Sequence, residues 1–363
     1  MKLIISGGGT GGHIFPAIAI ANAVKNLKPN TEILFVGAEN RMEMEKVPAA
    51  GYKIIGLPVS GFIRKLSFGN IKVLFRLMKS MKKAKKIIAD FKPDVVVGVG
   101  GYASGPVLKN AVKKNIPTLI QEQNSYAGVT NKLLAKKVNK ICVAYSEMEK
   151  FFPADKIIYT GNPVRQNILN ENITREEAFS FFGLNPGKKT ILCVGGSLGA
   201  GTLNESVILN LDKIAKSNYQ LIWQTGKFYF EKAKQKFDAV NPANIKVMDF
   251  ISRMDYAYKA ADIVISRAGA ISISELCLVK KPVIFVPSPN VAEDHQTKNA
   301  MALVSKNAGL LVKDAEAREK LFDSAFELIN NEPKMNEFSE NIGKLAMLNS
   351  ADIIANEVIK LKK

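Results

Sequence analysis

The chain has 363 residues, 47% of them hydrophobic, and a mean hydropathy of +0.02, which is material for two apolar cores and excludes a disordered or fibrous protein. Cys142, Cys193 and Cys277 are odd in number and sit in apolar runs, which excludes a disulfide framework and predicts buried, reduced thiols in a cytoplasmic protein. The net charge of +18 is lopsided: residues 1–160 hold 25 Lys and Arg against 10 Asp and Glu, the remainder 26 against 23, so the first half is expected to face a negative surface, either nucleic acid or an anionic membrane.

In chain order, "KLIIS" reads as a short buried strand, Gly7, Gly9 and Gly12 as a G-x-G-x-x-G turn, and Ile14 onward as a helix. Bare N–H groups and the positive end of that helix make an anion site, although this pattern alone is weak evidence for any one ligand. No apolar leader precedes the strand, and no stretch approaches the ~18 uninterrupted apolar residues of a spanning helix. "TEILFVG" and "YKIIGLPV" follow as strands, then the loop bearing Ile63, Leu66 and Phe68. From Ile71 a helix is predicted, with Leu74, Phe75, Met78 and Met81 at helical spacing among Lys72, Arg76, Lys79, Lys82, Lys83, Lys85 and Lys86. A core-facing helix with a solvated basic face is the commoner outcome of such a pattern taken alone, but the apolar loop before it and the ten basic residues against Asp90 between 61 and 92 shift the expectation to an amphipathic helix that docks the first domain on anionic lipid.

Strands "DVVVGVG", "PTLIQE" and "KICVAYS" come next, with a "GGYASGPV" turn from Gly100 to Val107 that is either a second anion-accepting helix start or a plain tight turn. "KIIYTGNP" lies at the crossing. The pattern then restarts with "TILCVGGSLGAGTLNESVILNL", again strand, glycine turn through Gly195, Gly196 and Gly199, and helix, and continues through "YQLIWQTG", "IKVMDFI", "ADIVISRAG" and "PVIFVPSP". Strand and helix alternation of this kind builds doubly wound parallel sheets, whose ligands lie at the carboxyl ends of the strands. Two similar Rossmann-like domains are expected, 1–161 and 162–340, facing a cleft. A helical segment, 341–363, is expected to return to the first domain.

"GGGTGGHIFPA", "GVGGYASGP", "QEQNSYAGVTNK", "GNPVR", "GGSLGA", "RAGAISISE" and "EDHQTKNA", in this order across nearly the whole chain, resemble the MurG family of peripheral membrane glycosyltransferases. The resemblance implies an α/β GT-B fold and an inverting hexosyltransferase of peptidoglycan and cell-wall synthesis. Such an enzyme moves N-acetylglucosamine from UDP-N-acetylglucosamine to the undecaprenyl-diphosphate-linked muramoyl pentapeptide, converting lipid I to lipid II. It implies a peripheral place on the cytoplasmic face of the inner membrane. For the donor it implies Thr10, Gly11, Gly12, Asn124, Arg165, Ser197, Ile251, Ala270, Ile271, Ser272, Ile273, Ser274, Glu275 and Gln296. For the acceptor diphosphate it implies Gly9, Gly101, Tyr102 and Ser104. One departure is Gln121, where the family often has His before the Glu of "EQN".

Each candidate has a plainer reading beside it. Glu275 either accepts the ribose hydroxyls or forms an S-x-x-E capping box with Ser272. Arg165 either neutralises the donor diphosphate or is an ordinary surface arginine, and Asp294 and His295 are either near the sugar or solvated. For the base that deprotonates the acceptor hydroxyl, His13 leads and Glu122 beside Asn124 is second; a histidine at a helix start could equally cap the turn. No D-x-D pair is present, so neither metal nor cofactor is expected, a departing diphosphate being stabilised by helix N-termini and Arg165. The rival functions are a nicotinamide oxidoreductase, for which Glu39 stands near the ribose-binding position, and a sugar-nucleotide epimerase. A purely nucleic-acid-binding role is a distant fourth: it would not need paired anion loops around a histidine, no recognition-helix, zinc or aromatic-ribbon signature is present, and no nucleic-acid partner is expected.

Overall fold

The computed structural model describes residues 1–59, 69–164, 166–169, 172–196 and 198–362. It divides into two compact units, the first made of Met1–Val164 with Met347–Lys363, the second of Arg165–Ala346.

The first unit is built on seven strands: β1 (Lys2–Ser6), β2 (Glu32–Ala38), β3 (Lys53–Leu57), β4 (Val95–Gly98), β5 (Thr118–Glu122), β6 (Lys140–Val143) and β7 (Ile157–Tyr159). They form one sheet in the order β3-β2-β1-β4-β5-β6-β7, every pair parallel; Leu3, for example, lies opposite Ile33 on one side and Val95 on the other. A parallel sheet covered by helices on both faces needs strands that are apolar on both sides, which is why "LII" and "VVV" run without alternation. Leu3 and Ile5 point into one core with Ile20 and Val24, whereas Ile4 points into the other with Ile88, Leu108 and Ile120. The helix Ser350–Lys360 packs on the helix Gly11–Leu27 and completes the first of these cores with Ile354, Ala355 and Val358. The segment before it bends at Asn349, in a left-handed conformation, so the expected C-terminal helix is two helices, Glu332–Gly343 and Ser350–Lys360.

The second unit repeats the design with β8 (Thr190–Val194), β9 (Gln220–Gln224), β10 (Ile245–Met248), β11 (Ile263–Ser266), β12 (Val283–Phe285) and β13 (Leu310–Leu311), ordered β10-β9-β8-β11-β12-β13 and again parallel. Trp223, fully buried, fills its core with Phe322 and Phe338 and donates its indole N–H to Asn204 Oδ1 at 2.9 Å. All three cysteines are free and buried, and burial pushes each thiol up to about 12, which leaves them without thiolate reactivity at neutral pH.

The strand order reverses between β1 and β4 in one sheet and between β8 and β11 in the other. These are the points where open α/β sheets open a crevice beyond their carboxyl ends.

Candidate active site

In the first unit the loops that follow β1 and β4 meet backbone to backbone. A Cβ on Gly101, whose φ is +80°, would fall 2.3 Å from Gly8 O, and one on Gly7 would fall 2.2 Å from Val99 Cγ2. Only glycines permit this approach, and its result is positional: His13, in the first turn of the helix Gly11–Leu27, has its ring over Gly100, where an added Cβ would lie 2.8 Å from Nε2. Thr10 is the N-cap of that helix, with Gly11 and Gly12 as its first residues. Its carbonyl accepts from His13 N, and its Oγ1 lies 3.2 Å from His13 Nδ1. Tyr102 is exposed beside this loop pair. Ser104 is fully buried, and its hydroxyl donates to Gly101 O, so it shapes the turn.

Two carboxylates behave differently from what their sequence positions suggest. Glu122, at the end of β5, is buried, and its Oε1 accepts from the Asn124 backbone N–H (3.1 Å) and Nδ2 (3.3 Å) while Oε2 accepts from Gly128 N (2.9 Å) and Asn131 Nδ2 (2.9 Å). Both oxygens therefore organise the loop after β5, and Asn124 is positioned by Glu122. Glu43, which in the sequence alone resembles an ordinary helix-surface charge, is also buried, and it accepts the Gly9 N–H. Gln121, in place of the frequent family histidine, is buried and donates to Asn162 Oδ1 at 3.0 Å.

These contacts bear on the nicotinamide alternative. A dinucleotide site needs Glu39 to face a ribose and the glycine N–H groups to face a diphosphate. Instead Glu39 pairs with Lys83 Nζ at 2.8 Å, and a carboxylate already occupies the Gly9 N–H.

In the second unit the described donor candidates follow three strands: Ile251 comes after β10, Ala270 to Glu275 after β11 and Gln296 after β12, and the glycine loops after β8 and β9 pack beside the first of them. Gly226, at φ +79°, lies directly on Gly199: a Cβ there would sit 2.1 Å from Gly199 N. Gln224 ties the same loops, donating from Nε2 to Gly196 O (3.0 Å) and accepting the Ile251 N–H on Oε1 (3.1 Å). Beyond buried Ile251, Arg253 hydrogen-bonds the Asp255 carboxylate and holds it below the usual carboxylate range. The helix Ala270–Val279 starts from Gly269, and its first intrahelical bond runs from Ile273 N to Gly269 O, so the N–H groups of Ala270, Ile271 and Ser272 project from its positive end.

That helix start removes the capping-box alternative. Ser272 lies inside the first turn, Gly269 is the cap and no side chain caps it. Glu275 is buried and accepts from the Tyr258 hydroxyl at 3.2 Å. Ile273 turns into the core, and Ser274 Oγ donates to Ala270 O. Gln296 accepts Ser288 N–H on its amide oxygen at 2.9 Å, and Asp294 accepts from Thr297 Oγ1 at 2.7 Å. Arg165 and Ser197 lie outside the described residues. Among the described residues no group of three or more His, Cys, Asp or Glu is arranged to hold a metal ion.

Comparison with known proteins gives the arrangement a family. The profile described as Glycosyltransferase family 28 N-terminal domain matches residues 3–143, and that described as Glycosyltransferase family 28 C-terminal domain matches residues 190–355. A protein of Phocaeicola vulgatus is 64% identical over 362 residues, 99% of this chain and 96% of its own length. One of Parabacteroides distasonis is 61% identical over 360 residues, 99% and 98%. Both are named UDP-N-acetylglucosamine--N-acetylmuramyl-(pentapeptide) pyrophosphoryl-undecaprenol N-acetylglucosamine transferase. The crystal structure of Acinetobacter baumannii MurG is 28% identical with a TM-score of 0.80, covering 99% of each chain. A UDP-GlcNAc 2-epimerase from Neisseria meningitidis, at 16% identity and a TM-score of 0.68 over 99% of this chain and 100% of that one, shares the fold alone. With two Rossmann-like parallel-sheet units, both halves of the family profile and relatives of this identity along its length, the chain belongs to glycosyltransferase family 28, among its MurG-type N-acetylglucosamine transferases.

Proposed function

We propose that the chain transfers N-acetylglucosamine from UDP-N-acetylglucosamine to an undecaprenyl-diphosphate-linked muramoyl pentapeptide, making lipid II from lipid I. The observation that carries this reading is the 61–64% identity, along nearly the whole length, to relatives bearing that transferase name. The second unit, expected from the sequence as a domain over 162–340, holds the donor. Ile251, its N–H already given to Gln224, meets uracil through its carbonyl. Glu275 accepts the ribose hydroxyls, and Gln296 meets the sugar through its amide nitrogen. The N–H groups of Ala270 to Ser272 at the helix start, with Arg165 and Ser197, take the diphosphate. The first unit supplies the acceptor site at Gly101 and Tyr102, and the base. As the acceptor oxygen attacks the anomeric carbon, its proton passes to His13, the bond from that carbon to the UDP oxygen breaks, and the departing diphosphate keeps the electron pair.

A thermal-shift comparison of UDP with NAD tests this reading. UDP at 100 times its dissociation constant is expected to stabilise the protein by about 2.7 kcal/mol, and NAD not at all. Losing a hydrogen bond to a charged group costs about 1.5–3 kcal/mol, so Glu275→Ala is expected to weaken UDP binding by roughly 10- to 100-fold. Tight NAD binding with unchanged UDP affinity in this variant would overturn the assignment.

We further propose that the helix Gly69–Phe91 docks the first unit on the cytoplasmic face of the inner membrane. Its core-facing side is Val73, Ser80, Ala84, Ile87 and Ile88, whereas Leu74, Phe75 and Met78 are exposed among Arg76, Lys79, Lys82, Lys85 and Lys86. Apolar side chains rimmed by cations suit a lipid–water interface, where each Lys or Arg adds about 1 kcal/mol on an anionic leaflet. Ile63, Leu66, Phe68 and the side chains of Ile71 and Lys72 lie outside the described residues. No helix among the described residues is long and apolar enough to cross a membrane. In vesicle sedimentation, binding is expected to rise with the anionic lipid fraction and to fall with salt. Replacing Lys82, Lys85 and Lys86 by Glu, with Lys83 left on Glu39, should abolish it. Equal binding to neutral vesicles would count against the proposal.

A further inference from the structure

Glu43 opens the short helix Glu43–Ala49 and is 1% exposed. Its carboxylate spans two elements: both oxygens lie within reach of the Gly9 N–H, at 3.1 and 3.0 Å, and Oε1 also accepts the N–H of Ala38 at 2.9 Å, at the end of β2. Two glycines make room for it. A Cβ on Gly8 would lie 2.1 Å from Glu43 Oε1, and a Cβ on Gly37 would lie 2.6 Å from Glu43 Cγ. Burying a carboxylate is costly unless donors surround it, and a packing role alone would be met as well by an apolar side chain of similar volume.

Anchoring Gly9 in this way fixes the start of the helix Gly11–Leu27. Gly9 precedes Thr10, whose carbonyl accepts the His13 and Ile14 N–H groups and whose Oγ1 touches His13 Nδ1. We infer that Glu43 is a positioning residue for His13: by holding Gly9 it sets Thr10, and Thr10 sets the imidazole over Gly100. Because the carboxylate occupies the Gly9 N–H, Gly9 serves the acceptor site by shape, and the diphosphate is left to the N–H groups on either side of it. The inference rests on the transferase reading, in which His13 is the base.

The test compares the wild-type full-length chain with Glu43→Gln, Glu43→Asp, His13→Ala and the Glu43→Gln, His13→Ala double variant. Melting temperature, UDP affinity, acceptor KM and kcat are measured for each. Glu43→Gln, which places an amide N–H against backbone donors, is expected to keep UDP affinity unchanged and to lower kcat by about 10²-fold, the cost of misplacing a catalytic group by ~1 Å. In the His13→Ala background the same change should cost little, since both act on one step; two losses that multiply would mean Glu43 acts elsewhere and would overturn the inference. Wild-type kcat in Glu43→Gln would also overturn it. If Glu43→Gln does not fold, Glu43→Asp, which keeps the charge but is one methylene too short to reach both Gly9 and Ala38, carries the test in the same direction. Transfer by the wild-type chain is the control: its absence would sink the transferase reading, whereas its presence beside a fully active Glu43 variant sinks only this one.

Discussion

His13→Ala is expected to lower kcat by about 10²- to 10⁴-fold at saturating donor and acceptor while leaving UDP affinity as it was, the usual loss when a positioned general base is removed. The imidazole is held across the loop pair: its Nδ1 lies 3.2 Å from Thr10 Oγ1, and its Nε2 edge lies over Gly100. Glu122 is poorly placed to substitute, because four donors already occupy its two oxygens. Single-turnover measurement of sugar transfer separates chemistry from product release. Retention of the full rate by His13→Ala would return the role to Glu122.

The largest effect on stability is expected in the second unit, at Gly226. Its backbone adopts φ +79°, which costs an L-residue about 1–2 kcal/mol by itself. The added methyl would also lie 2.1 Å from Gly199 N and 2.2 Å from Gly199 Cα, and neither is the end of a flexible side chain. Gly226→Ala is therefore expected to cost about 4 kcal/mol or more, in the range reserved for substitutions that break a specific feature. Gly51 provides the control: at φ +85° with nothing within 4 Å of its built Cβ, its replacement by Ala should cost only the conformational ~1–2 kcal/mol. Urea denaturation reads both from the shift in midpoint at constant slope. Equal losses at the two positions would show that the contact with Gly199 contributes nothing.

The fold is legible in the sequence because buried parallel strands announce themselves as unbroken apolar runs and because the strand–glycine–helix unit occurs twice. A strand of two residues, Leu310–Leu311, carries no such signal. At the site, the glycines and His13 can be found from spacing alone. Glu43 cannot: in "RMEMEKVP" it is one of two acids at the start of a short helix, and only the folded loop reveals that Gly8 and Gly37 lie against it. Gln224 is hidden for a similar reason, being the last residue of an ordinary strand whose amide spans two loops distant in sequence. On the basic helix, the apolar residues at helical spacing fit a core face as readily as a lipid-facing one. The structure buries Val73, Ala84, Ile87 and Ile88 and leaves Leu74, Phe75 and Met78 outside, because helical period identifies stripes but does not say which stripe meets the sheet.

The helix Ser350–Lys360 belongs to the core of the first unit yet follows the whole of the second in sequence. On the ribosome, the strands and the helix Gly11–Leu27 are made first, and the patch that receives Ile354, Ala355 and Val358 stays unclad until everything from Arg165 to Ala346 has emerged. At roughly 5–20 residues per second this wait is on the order of 10–40 s, far longer than folding takes for most small domains. The nascent first unit thus spends its early life as an incomplete domain with an open apolar groove, and it can close only after the whole of the later unit has been synthesised.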